Sequence, residues 1–185
     1  AGISNRKFGR SGADSIGNKF DLRVTVRGSD SEEGRAGATD QKFTIEPGKD
    51  QELNLALNIS DPQLWSPASP HMYDVSFALY AGDVLIDEAI IPVGFFLFRS
   101  GDNNFNLNNG KFSLRGVTYI PSVSEKGSML SYEEMARDIR LIKSAGFNAV
   151  RFEKNIPHPY LLHLCATEGL LAFIEAPISN LPASF

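Results

Sequence analysis

Apolar residues recur at every second position through much of the first half of the chain. Phe20, Leu22, Val24 and Val26 alternate with Asp21, Arg23, Thr25 and Arg27. Leu53, Leu55, Leu57 and Ile59 alternate in the same way with Asn54, Ala56 and Asn58, and Val75, Phe77 and Leu79 repeat the pattern. Period two is the mark of strands that bury one face and wet the other. Ala81-Gly82-Asp83 supplies a turn into a partner strand running from Val84 to about Ile91, and Phe43 with Ile45 suggests a further short strand.

No helical period precedes position 130, so residues 1–98 are expected to form an all-β, immunoglobulin-like sandwich. Arg99 to Asn104 is polar, with Gly, Asp and two Asn, and suits a domain junction. Beyond it, Phe105 to Leu107 and Lys111 to Leu114 flank Asn108-Asn109-Gly110, and Asn-Gly accepts the positive φ angles of a tight hairpin. The period then changes. Ser131 followed by Glu134 reads as a capping box, and Leu130 with Met135 as a hydrophobic staple, so a helix is predicted from Tyr132. Met135, Ile139 and Ile142 share its apolar face, and Gly146 ends it. Asn148 to Phe152 reads as a short strand, Pro159 to Glu168 as a second helix stopped by Gly169, and Leu170 to Ile174 as a strand covered on both faces.

With Ser113 to Tyr119 as a first strand, residues 99–185 read β-α-β-α-β. That is the N-terminal part of a (β/α)8 barrel, whose full form takes about 250 residues. Three parallel strands leave an open edge that a further segment or a second copy of the chain in a homo-oligomer would cover. The chain is therefore expected to be a fragment of a larger protein.

Composition narrows the function classes. The net charge is −4 and the 18 Lys and Arg are scattered, which gives no footprint for nucleic acid or an anionic membrane. No apolar run approaches the length of a membrane span, and Ala1 to Gly17 is polar and glycine-rich. The single cysteine, Cys165, excludes an internal disulfide and sits in an apolar helix, so it is expected to be a buried, inert thiol. His158 and His163 are five apart and His71 is remote, so no metal ligand set and no cofactor is expected.

Leu64-Trp65-Ser66-Pro67-Ala68-Ser69-Pro70-His71-Met72-Tyr73 resembles the entry to the penultimate strands of the immunoglobulin-like domain in family 2 glycoside hydrolases. Further matches follow in the family's order. They are Val93-Gly94-Phe95, Phe105 through Asn109-Gly110-Lys111, Leu114-Arg115-Gly116-Val117, Asp138-Ile139 with Lys143, Phe147-Asn148-Ala149-Val150-Arg151, His158-Pro159, Leu164-Cys165, Gly169-Leu170 and Glu175-Ala176. The resemblance implies a retaining β-glycosidase with carbohydrate as its partner. It also implies an acid/base glutamate after strand four and a nucleophile at strand seven, both beyond Phe185, so no catalytic residue is expected in this chain. In the same context Trp65 is expected to be an anchor packed at the sandwich edge.

There are departures from the family. Gly116-Val117-Thr118-Tyr119-Ile120 replaces Gly-Val-Asn-x-His, Arg151-Phe152-Glu153-Lys154-Asn155-Ile156 keeps only the arginine of Arg-x-Ser-His-Tyr-Pro, and Glu175-Ala176-Pro177-Ile178-Ser179-Asn180-Leu181 lacks the magnesium-site Glu-x-His of the family's β-galactosidases. Barrel sites lie at the C-terminal ends of strands, which makes Tyr119, Arg151, Glu153 and Glu175 the candidates to face a sugar. Against this stands a plain structural ion pair between Arg151 and Glu175. Two functional readings follow: a glycosidase fragment inactive by itself, or a non-catalytic carbohydrate-binding or interaction protein on a degenerate barrel.

Overall fold

The structure is a computed structural model that describes residues 2–4, 18–28, 35–101, 104–121, 130–154 and 156–176. Most of the polar N-terminal stretch, Asn155 and the segment from Pro177 onward lie outside the described residues. The chain divides into two compact units, the first from residues 1–62 and 73–93, the second from residues 63–72 and 94–185.

The first unit is an antiparallel sandwich. Strands β1 (Gly2–Ser4), β2 (Lys19–Gly28), β3 (Arg35–Thr44), β4 (Asp50–Glu52), β5 (Tyr73–Ala81) and β6 (Val84–Val93) form a four-stranded sheet in the order β3-β2-β5-β6 and a two-stranded sheet, β1-β4. Phe20, Leu22, Val24 and Val26 are all buried, and with Phe43, Ile45 and Leu53 they make the core. Gly82 turns β5 into β6 with φ 62°. Strand β3 is longer than Phe43 and Ile45 imply. Its positions opposite Leu22, Val24 and Val26 are Gln41, Thr39 and Gly37, so ahead of Phe43 its core-facing side carries no apolar signal. The strand expected over Leu53 to Ile59 is corrected: only Asp50–Glu52 joins a ladder. Burial still alternates from Leu53 to Ile59, because period two reports pleat and burial and not hydrogen-bonded pairing.

The second unit begins with a three-stranded meander of β7 (Phe98–Ser100), β8 (Phe105–Leu107) and β9 (Gly110–Phe112). Strand β7 takes Arg99 and Ser100 out of the expected linker. At the β8-β9 turn, Asn108 and Asn109 carry the positive φ angles, 51° and 65°, and Gly110 already belongs to β9. There follow β10 (Gly116–Tyr119), α1 (Tyr132–Ser144), β11 (Ala149–Phe152), α2 (Pro159–Glu168) and β12 (Leu171–Ile174), with β10-β11-β12 parallel throughout.

Helix α1 starts where its capping box places it. Ser131 Oγ accepts from the Glu134 amide at 3.2 Å, and the Ser131 amide donates to Glu134 Oε2 at 2.8 Å. His158 caps α2 by accepting the Tyr160 amide on Nδ1, and Gly169 closes it with φ 74°. Met135, Ile139, Val150, Phe152, Leu161, Cys165 and Leu170 form the core between sheet and helices. Strand β12 is not covered on both faces as its sequence suggests. It is the last strand of the sheet among the described residues, and Phe173 and Ile174 are exposed.

Trp65 is buried in this second unit. Its indole Nε1 donates to Ala166 O on α2 at 2.7 Å, and a Cβ at Gly94 would meet its ring at 3.0 Å. The segment around it is tied down further by Lys143, whose ammonium donates to Pro67 O at 2.6 Å and Gly169 O at 2.9 Å.

Candidate functional site

Parallel pairing aligns Thr118 with Arg151 and Arg151 with Phe173. Side chains alternate across a strand, so this row shares one face and the row of Val117, Tyr119, Val150 and Phe152 takes the other, toward the helices. The first face lines a cavity of about 610 Å³ whose polar side chains are Thr118, Arg151 and Glu175 and whose apolar lining includes Phe173, Leu114 and Ala149. Glu175 follows β12, held in strand-like continuation by its amide bond to Phe152 O at 3.1 Å.

The structure brings two of the four sequence candidates together. Arg151 Nη2 lies 2.5 Å from Glu175 Oε2, with side chains 52% and 35% exposed. A pair this exposed adds at most about 1 kcal/mol to stability, so its position at the carboxyl ends of the strands says more than its energy. A guanidinium there retains donors for a second oxygen ligand.

Tyr119 goes elsewhere. Its hydroxyl donates to Asp138 Oδ2 on α1 at 2.9 Å, and its ring packs edge-on to Phe152. Burial first, and the hydrogen bond to Asp138 second, hold the phenol well above its usual range. Glu153 is the first residue past β11, half-buried and not part of the Arg151–Glu175 pair, and the chain turns after it through Lys154 at φ 47°. Sequence reasoning did not place Thr118 and Phe173 in the cavity. The signal was the parity of each with Arg151, which becomes readable only once the inter-strand register is known.

Cys165 is buried and its thiol is pushed up to about 12 by desolvation. Among the described residues no group of three His, Cys, Asp or Glu side chains stands ready to hold a metal ion, and no helix is long and apolar enough to cross a membrane.

Residues 14–95 match the family model for Glycosyl hydrolases family 2, and residues 98–184 match the model for the Glycosyl hydrolases family 2 TIM barrel domain. Among curated relatives, β-galactosidase 2 of Enterobacter cloacae is 35% identical over 71% of this chain and 13% of its own length. Among solved structures, a family 2 glycosyl hydrolase from Bacteroides cellulosilyticus superimposes with a TM-score of 0.79 at 30% identity, covering 85% of this chain and 20% of that one. A β-glucuronidase from Bacteroides uniformis gives a TM-score of 0.82 at 26% identity, covering 92% of this chain and 21% of that one. The chain thus spans about an eighth of the length of the curated relative and about a fifth of each of these structures.

Proposed function

Because this chain belongs to glycosyl hydrolase family 2, we propose that it is part of a protein that hydrolyses O-glycosyl bonds of carbohydrates. The sugar would approach the carboxyl ends of β10, β11 and β12. The observation that carries this reading is the Arg151–Glu175 pair at those strand ends, in a chain whose two halves match the two family domains in order.

Retaining hydrolysis needs two carboxylates about 5 Å apart, one protonating the leaving oxygen and one attacking the sugar carbon. Glu175 is the single acid lining the cavity among the described residues, and Arg151 ties it down. In this reading Arg151 and Glu175 orient sugar hydroxyls or a neighbouring carboxylate, and the two reacting acids come from elsewhere in the whole protein. The chain by itself binds sugar weakly and does not turn it over. The free sides of β10 and β12 would be covered by further barrel strands or by a second copy of the chain.

The test is to incubate the 185-residue chain with aryl β-galactosides, β-glucuronides and β-mannosides and titrate active sites. No release of aglycone is expected, and turnover with stoichiometric active sites would overturn the reading. The non-catalytic alternative is favoured by Thr118, which stands in the cavity where the family pattern has an asparagine. Reading the parent gene separates the two. An Asn-Glu pair ending a fourth strand, with a later strand-terminal Glu, supports catalysis, and their absence supports a binding protein.

A further inference from the structure

The end of the parallel sheet opposite Arg151 and Glu175 borders a second cavity, of about 640 Å³. Arg115, which precedes β10, and Asn148, which precedes β11, line it together with Lys143 from the last turn of α1. Its charge is one-sided: among the described residues Arg115 and Lys143 are the only ionisable side chains in the lining, and no acid faces them from it.

Both cations are anchored by neutral main-chain oxygens. Lys143 Nζ bonds Pro67 O and Gly169 O, and Arg115 Nε bonds Gly146 O at 3.0 Å. The Arg115 backbone is itself fixed, because the buried Asn148 side chain accepts its amide on Oδ1 at 2.7 Å and donates to Ser113 O at 2.8 Å. Those carbonyls orient the two cations without neutralising them. An ammonium offers three donors and a guanidinium five, so one ammonium hydrogen and both Nη groups keep no protein partner among the described residues. Capping of helix ends accounts for the bonds to Gly146 O and Gly169 O, and tethering of the loop around Pro67 for the third, which leaves the unused donors and the cavity unaccounted for.

Lys143 is partly withdrawn from water while Arg115 stays exposed, and an anion brought to a partly desolvated cation recovers the cost of that desolvation. Desolvation lowers the Lys143 pKa, with only the charge of Glu168 acting against it. The cavity falls in the size range of small-molecule sites, roughly 300–1,000 Å³, and exceeds what a bare phosphate fills.

We propose that this cavity binds a small molecule carrying a phosphate or carboxylate group, whose oxygens are held by Arg115 and Lys143. The site stands apart from the Arg151–Glu175 cavity and does not depend on the sugar reading given to that one.

The test uses the whole 185-residue chain, titrated at constant ionic strength with inorganic phosphate, glucose 6-phosphate or gluconate. The Arg115 Nε–H and Phe147 amide resonances are followed by ¹H–¹⁵N NMR. A saturable shift at both is expected. Tighter binding of glucose 6-phosphate identifies a phosphate ester as the ligand class, and tighter binding of gluconate identifies a carboxylate. Arg115→Gln, at an exposed side chain, is expected to weaken binding about tenfold or more. Lys143→Met should do the same wherever Trp65 fluorescence shows that the unit remains folded. Shifts that fail to saturate for all three probes, or that are unchanged by Arg115→Gln, would overturn the proposal.

Discussion

Gly146 and Gly169 close the two helices with the same left-handed backbone, φ 87° and 74°, yet their surroundings differ. A Cβ at Gly146 meets nothing within 4 Å, whereas one at Gly169 lies 2.5 Å from Pro67 O and 2.8 Å from Lys143 Nζ. Alanine in this conformation costs about 1–2 kcal/mol at either place. At Gly169 the added methyl also forces the Pro67 carbonyl and the Lys143 ammonium apart, which costs about 1–3 kcal/mol more, in the range of an overpacked core. We therefore expect Gly146→Ala to lose about 1–2 kcal/mol and Gly169→Ala about 3 kcal/mol or more. Urea denaturation followed by fluorescence measures both, because Trp65 is the single tryptophan of the chain and lies in the same unit as both glycines. Equal losses within about 0.5 kcal/mol, inside the usual error of a linear extrapolation, would refute the contact between Gly169 and the segment around Pro67.

Trp65→Phe removes the bond to Ala166 O and part of the buried ring, and should cost about 2 kcal/mol by chemical denaturation followed by circular dichroism. Tyr119 has a folded pKa raised above the ordinary phenol value of about 10, so the stability it contributes is present below about pH 10 and is lost as pH rises through the higher folded value. Tyr119→Phe should accordingly be less sensitive to alkali than the parent chain, and a matching alkaline denaturation curve would count against the Asp138 contact. Cys165, its thiol raised to about 12 and its side chain buried, should resist iodoacetamide at pH 8 until urea unfolds the chain, which mass spectrometry reads directly. Arg151→Gln should change stability by less than about 1 kcal/mol, since the pair it breaks is exposed.

Local chemistry was the legible part of the sequence. The capping box at Ser131 and Glu134, the glycine stops at Gly146 and Gly169, and the buried alternation from Phe20 to Val26 each depend on neighbours a few residues away, and all are present. The ion pair of Arg151 with Glu175, 24 residues apart, was legible for another reason: the two stand at the carboxyl ends of strands that are successive in the β-α-β series. What the pattern could not supply was long-range pairing. Strand β3 turns Gly37, Thr39 and Gln41 toward the core side, so its length was invisible, and Leu53 to Ile59 carries a strand pattern with no ladder. Tyr119 and Thr118 are neighbours on β10, and only the register with Arg151 decides which of them lines the cavity. Trp65 shows the limit most plainly, since its partner Ala166 lies 101 residues away.

That partnership makes residues 63–72 an excursion in which the chain leaves one unit, contributes to the other, and returns. The second unit is therefore not a contiguous stretch of gene. A recombinant piece beginning at Gly94 would lack the indole that bonds α2 and the Pro67 carbonyl that receives Lys143, leaving a hole and an ammonium held by Gly169 O alone. Domain shuffling at that junction would leave the first unit whole but still carrying residues 63–72 of the second, and the second unit incomplete, so the excursion works as a covalent strap that keeps the two units inherited together.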